Sequence, residues 1–135
     1  MIVLDASVAL EWLLQTPSGA AISKQISSSG EKLYAPYLVD VEVCQVLRRY
    51  VANGTLDAPR AEEALRDLAD LRMYRYPHVP LLRRAWELRG NLTAYDAMYV
   101  ALAEALDAIL LTRDGKLAAA PGHRARIQLV SCRPF

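Results

Sequence analysis

The chain predicts an α/β fold of three layers, α/β/α, with a central parallel sheet covered by helices on both faces. Three observations carry this reading. Short apolar runs alternate along the chain with longer stretches at helical spacing, the order expected of strand–helix–strand units. Two of the runs, Ile2-Val3-Leu4 and Ile109-Leu110-Leu111, are apolar at every position, as strands buried on both faces are. Acidic residues stand just beyond both of them, at Asp5 and Asp114. That is the carboxyl edge at which open parallel sheets bind their ligands.

The elements follow in order. After the strand 2–4, Asp5 and Ser7 are placed to cap a helix through Ala9, Leu10, Trp12 and Leu13. Pro17-Ser18-Gly19 breaks that helix, a second short one ends at Ser27-Ser28-Ser29-Gly30, and 32–35 supplies a strand before Pro36. A third helix runs from about 37 to 52, its stripe Val39, Val43, Val46, Leu47 and Tyr50, and Asn53-Gly54 ends it. Asp57 caps a helix in which Ala61, Ala64, Leu65, Leu68 and Leu71 recur at three and four. An extended piece at 73–76, a helix from about 80 to 89 and a helix start at Thr93-Ala94-Tyr95-Asp96 come next. The run 97–103 is apolar all round and predicts a buried helix. Asp114-Gly115 turns the chain into a short helix, and 127–130 reads as the last strand.

With 135 residues, 53% of them apolar, the chain fits a single domain, 1–135, able to bury a core without disulfide or metal staples. A net charge of +1, from sixteen Lys and Arg against fifteen Asp and Glu, does not announce a nucleic-acid binder. Thirteen of those cations are Arg, however, and the span 48–89 holds nine Arg against six acids. Arg matches phosphate in planar, bidentate pairs, so this excess hints at a phosphate-rich substrate, with solvated helix faces as the plainer account of each Arg. Cys44 and Cys132 fit neither a close-spaced metal pair nor a disulfide framework, and Cys44 reads as a small buried thiol. Nothing in the sequence reads as a leader or a membrane span, so a cytoplasmic protein is expected.

Asp5, Glu42, Asp96 and Asp114 are the candidate site. Each has a structural role open to it as well: Asp5 and Asp114 as caps, Asp96 in a capping box begun by Thr93, and Glu42 as partner of Arg48 or Arg49. Asp40 lies on another side of that helix and reads as surface. Jointly the four say more. If the helices starting near 38 and 94 begin above the carboxyl edge, all four side chains share one cleft. Like charges at ~5 Å repel by roughly 3 kcal/mol per pair at an effective dielectric of about 20, so the cleft calls for a cation. Hard oxygen donors suit Mg²⁺ or Mn²⁺, and no His or Cys completes a zinc set; His78 and His123 lie in loop-like stretches. Ser7 and Thr112, each two residues from a carboxylate, can orient water or contact phosphate, and Thr93 and Arg113 can touch the substrate backbone.

These residues also carry a resemblance. Val3-Leu4-Asp5-Ala6-Ser7, Ala35-Pro36 followed by Glu42 and Leu47-Arg48-Arg49, the stretch from Thr93 to Ala103, and Leu110-Leu111-Thr112-Arg113-Asp114 resemble, in order and over nearly the whole chain, a PIN domain of the VapC toxin type. The stretch 93–103 is its most specific part. The resemblance implies a PIN-like fold and a Mg²⁺- or Mn²⁺-dependent endoribonuclease with Asp5, Glu42, Asp96 and Asp114 as the acidic quartet and metal ligands, and Ser7 and Thr112 as accessory hydroxyls. It further implies a VapB-like antitoxin partner, an RNA substrate and a homodimer. Trp12, Leu13 and Tyr37 are candidates for the antitoxin groove, with core packing as the plainer reading.

Other classes fit less well. A haloacid-dehalogenase-like phosphatase needs a second Asp two residues after the first, where this chain has Ser7. A receiver domain wants paired acids after its first strand and a Lys after its last, and no Lys follows 116. A non-catalytic RNA- or antitoxin-binding regulator with the same fold stays open, with four intact carboxylates against it.

Overall fold

The computed structural model describes residues 1–130. Five strands among these residues form one sheet: β1 (Ile2–Leu4), β2 (Leu33–Pro36), β3 (Met73–Tyr76), β4 (Ile109–Thr112) and β5 (Arg126–Leu129). Their order is β3-β2-β1-β4-β5 and every pairing is parallel. From β1 the chain steps outward to β2 and β3, then crosses back to β4 and on to β5. The order therefore reverses between β1 and β4, which opens a crevice at their carboxyl ends.

Among the described residues, seven α-helices make the connections: α1 (Ala6–Leu13), α2 (Pro17–Ser29), α3 (Leu38–Ala52), α4 (Ala58–Asp70), α5 (Leu82–Glu87), α6 (Ala94–Leu106) and α7 (Gly115–Ala119). Right-handed crossovers place α1 to α4 on one face and α5 to α7 on the other. Packing agrees, since α1 meets α2 and α3, α3 meets α4, and α5 meets α6. Helix α6 lies along β1, β2 and β4 with Ala97 through Ala103 all buried, which is why that stretch lacks a polar face. Among the described residues, no helix is long and apolar enough to cross a membrane.

Several sequence expectations change. Pro17-Ser18-Gly19 does not only end α1; it begins α2, a helix of 13 residues. Pro17 is tolerated there because a first-turn residue has no intrahelical acceptor for its N–H, and Thr16 caps the turn by accepting the Gly19 N–H at 3.0 Å. The helix expected near 80 opens with a 3₁₀ turn, Val79–Leu81, before α5. Cys44 is exposed rather than buried, because it lies off the stripe of Leu38, Val39, Val43 and Leu47 that α3 turns inward. Cys132 falls outside the described residues.

Gly19 marks the closest approach of α2 to α1. A Cβ there would stand 2.1 Å from the backbone carbonyl oxygen of Glu11, and backbone cannot swing aside. Gly19→Ala should cost about 1–3 kcal/mol, the usual range for overpacking, read as a lower denaturation midpoint with an unchanged slope in urea.

Candidate active site

The end of β1 is tied to the end of β4 by a network of polar groups. Asp5, 7% exposed, donates its N–H to Leu111 O at 3.0 Å and so extends the ladder one residue beyond β1. Its carboxylate does not cap α1 as the sequence reading had it. Instead Oδ2 accepts two hydroxyls, Thr112 Oγ1 at 2.6 Å and Ser7 Oγ at 2.9 Å. Those hydroxyls are held in turn: Ser7 Oγ accepts the Arg113 N–H at 3.1 Å and Thr112 Oγ1 accepts the Asp114 N–H at 3.0 Å. Both donors converge on Oδ2, which leaves Oδ1 for other partners. Thr112 is fully buried, so it supports Asp5 from behind and does not reach a substrate.

Glu42 enters from the second turn of α3. Neither Arg48 nor Arg49 pairs with it: Arg48 Nε donates to Gln45 Oε1 at 3.0 Å, and Glu42 Oε1 accepts the Tyr99 hydroxyl at 2.6 Å. Tyr99 is completely buried on α6, three residues after Asp96 and hence on the same side of that helix. Sequence reasoning passed over it because it sits in an apolar run. The available signal was the phenol itself, since a buried tyrosine hydroxyl needs a partner. Asp96 stands in the first turn of α6, where Thr93 Oγ1 accepts its N–H at 3.2 Å. Asp114 caps α7, its Oδ1 accepting from Lys116 N at 2.9 Å and Leu117 N at 3.4 Å.

Asp5, Glu42, Asp96 and Asp114 all line one open pocket of about 640 Å³, together with Ser7 and Arg113. Thr93 caps α6 and is not among the lining residues. Arg113 is turned toward the α1–α2 side, where its Nη1 donates to Ser18 Oγ and lies 3.9 Å from Glu11 Oε2. The other site guesses scatter. Leu13 is a core residue, Trp12 lines a separate cavity with Leu33 and Met73 at the amino ends of β2 and β3, and Tyr37 is 52% exposed beside His78. They do not form one groove. Asp40, read as surface, holds Arg75 Nε at 2.8 Å instead. His78 Nε2 accepts the Leu38 N–H at the start of α3 and His123 Nδ1 that of Ala125.

The electrostatics of the pocket are unbalanced. Burial pushes the carboxyl of Asp5 up, and nearby Asp114 adds to this against the two hydroxyl donors. Burial also raises Glu42, opposed by the Tyr99 hydroxyl and reinforced by Asp5 and Asp96. Asp96 is raised by burial and then by Asp5 and Asp114. Three acids thus sense one another, and among the described residues none of them forms an ion pair. Among the described residues, no three Asp, Glu, His or Cys side chains converge closely enough to enclose an ion by themselves. The donor chemistry is that of Mg²⁺ or Mn²⁺ all the same, because such ions keep several waters and take only one or two carboxylates beside substrate phosphates.

An acid whose folded pKa is raised costs nothing when both states are protonated, and costs stability once pH climbs from the ordinary carboxylate range through the raised value. Asp96→Asn should therefore raise the melting temperature of protein kept in EDTA at pH 7 by a few degrees, about 1 kcal/mol. The gain should shrink toward pH 4. Scanning calorimetry at the two pH values checks both the sign and the window.

Comparison with known proteins agrees with this geometry. The family model described as PIN domain matches residues 2–122. Ribonuclease VapC12 of Mycobacterium tuberculosis is 41% identical over 131 residues, covering 97% of this chain and 100% of that one. Ribonuclease VapC9 of the same organism is 47% identical over 117 residues, 87% of this chain and 88% of that one. The crystal structure of VapBC2 from Rickettsia felis bound to a DNA fragment from their promoter shares the fold, with a TM-score of 0.69 at 14% identity and coverage of 97% and 100%. Matched by sequence from the first strand to beyond the last acid of the pocket, the chain belongs to the PIN domain family and, within it, to the VapC ribonucleases.

Proposed function

We propose that the chain is a Mg²⁺- or Mn²⁺-dependent endoribonuclease that hydrolyses RNA phosphodiester bonds as the toxin of a toxin–antitoxin pair. The observation that carries this reading is the pocket itself: three acids with raised pKa values, from β1–α1, α3 and α6, facing one space, none of them in an ion pair with a cation of the described residues. The relatives named as ribonucleases, 41% and 47% identical, support the activity. The Rickettsia felis VapBC2 structure supports a VapB-like antitoxin as partner. Val79, Leu82 and Trp86, all half exposed or more, offer an apolar patch that suits a second copy of the chain. An RNA substrate fits a cytoplasmic location.

Asp5 Oδ1 and Asp96 would hold the ion, with Glu42 and Asp114 contacting it directly or through water. A bound divalent ion would lower the pKa of a water and spread the charge of the phosphate under attack. The remaining work falls to the chain. Ser7 and Thr112 fix one oxygen of Asp5 so that the other points consistently. Tyr99 does the same for Glu42, and its hydrogen bond at 2.6 Å works against the upward push that burial gives that carboxyl.

Protein freed of antitoxin should cut total RNA into discrete fragments with Mn²⁺ or Mg²⁺ and leave it whole with EDTA. Asp96→Asn should lower the rate by more than the ~100-fold at which supporting residues act. If well-folded protein given metal leaves every RNA intact, or if Asp96→Asn cuts as well as the parent, the reading fails. Tyr99→Phe should fold normally by circular dichroism and slow cleavage by about 10–100-fold, the range for a residue that orients a ligand.

A further inference from the structure

The pocket has a second set of residues that the acid chemistry does not use. Arg49 and Tyr95 both line it, one on α3 and the other on α6. Arg49 follows Glu42 by seven residues, two helical turns, so it lies on the same face about 10 Å further along the axis. Among the described residues it makes no ion pair and no side-chain hydrogen bond. Arg66, Arg72 and Arg83 are likewise without such a partner, but none of them lines this pocket, and the remaining five Arg of the excess at 48–89 are engaged elsewhere. Arg75 is held by Asp40, Arg84 by Glu104 and Glu87, Arg48 by Gln45, Arg60 by Leu13 O, and Arg89 lies over Trp86. Arg113, the other cation of the pocket, is engaged with Ser18 and close to Glu11. Arg49 is thus the cation left to meet a polyanion entering a pocket of carboxylates. Tyr95, adjacent to Asp96, is 66% exposed and has no aromatic or hydrogen-bonding partner among the described residues. A phenol ring so exposed on a helix gains nothing for the fold.

We propose that Arg49 and Tyr95 form the RNA grip of this pocket, the guanidinium taking a phosphate that flanks the scissile one and the ring stacking on an unpaired base. The inference rests on the ribonuclease reading and narrows its substrate class. A base can stack on a side chain only when it is splayed from its neighbours, so the grip selects single-stranded or looped RNA over a regular helix. Charge and stacking together are the means by which proteins hold single strands without reading sequence. The pairing also gives each wall of the pocket two tasks: α3 carries Glu42 and Arg49, and α6 carries Asp96 and Tyr95.

The test uses antitoxin-free full-length chain carrying Asp96→Asn, so that RNA stays whole, and a labelled RNA of about 12 nucleotides, within the span one binding fold covers. Binding is measured across a salt series, single-stranded and annealed to its complement. Adding Arg49→Ala should lower the slope of log affinity against log salt by about 0.7, the contribution of one phosphate contact to a single strand, whereas Arg49→Lys should keep the slope. Adding Tyr95→Ala should weaken single-strand binding by about 5- to 100-fold, as loss of one stacked base does, with Tyr95→Phe restoring it and duplex binding unmoved. In the parent, cleavage by Arg49→Ala should show a raised KM with kcat held within a few-fold. RNA bound and cut by the parent with slope and affinity unchanged in the variants overturns the grip alone. An equal loss on single strand and duplex in Tyr95→Ala overturns the unpaired-base assignment. No RNA binding and no cleavage by the parent overturns the grip together with the ribonuclease reading.

Discussion

The acidic pocket depends on the register of one three-residue strand. β1 pairs parallel with β2 on one side and with β4 on the other, Ile2 opposite Leu33 and Ile109, Val3 opposite Tyr34 and Leu110. A slip of one residue would turn every side chain of β1 to the other face and carry Asp5 out of reach of Thr112. What prevents the slip is burial. Val3 and Leu4 are completely enclosed and Ile2 nearly so, with α6 along the strand, so a slip toward the amino end would draw the Asp5 carboxylate into a position now held by an apolar side chain. The precision of the site is thus borrowed from hydrophobic packing on the strand beneath it.

Helix α6 shows how one element can hold acids in opposite electrostatic states. Near its start, Asp96 is raised by burial and by like charges. Near its end, Glu104 is lowered by Arg84, whose Nε stands 2.6 Å from Oε1, while Arg124 N–H donates to Oε2 at 2.8 Å. One acid is satisfied by the chain and the other is not. The satisfied one locks α5 and the loop before β5 onto the helix, and so steadies the unsatisfied one. Tyr99 lies between them and reaches across to α3, so α6 is pinned at both ends before any ligand arrives.

The strands and most helices were legible in the sequence because they obey local rules: apolar runs, caps at Asp57 and Thr93, and a stop at Asn53-Gly54. So were the four acids, which chain punctuation places at strand ends and helix starts. What stayed hidden was set by contacts distant along the chain. Glu42 finds Tyr99, 57 positions away, rather than an Arg one or two turns along its own helix. Asp5 is fixed by Thr112, 107 positions on, as well as by Ser7 of the helix that follows it. The excess of Arg was real, but much of it serves the fold, and only the packing shows that Arg49, free of side-chain partners among the described residues, lines the acidic pocket.

The double hydroxyl clasp on Asp5 Oδ2 has an evolutionary side. An asparagine at this position could offer its carbonyl oxygen to Ser7 and Thr112 and keep every contact behind it, while turning an N–H₂ group toward the space where Oδ1 had been an acceptor. Codons for the two residues differ by a single base. One point mutation would thus leave shape, core and outer surface alone while silencing the centre. A lineage of such chains need not decay into unfolded remnants: it would persist as well-folded decoys that still occupy whatever partner recognises the outer surface.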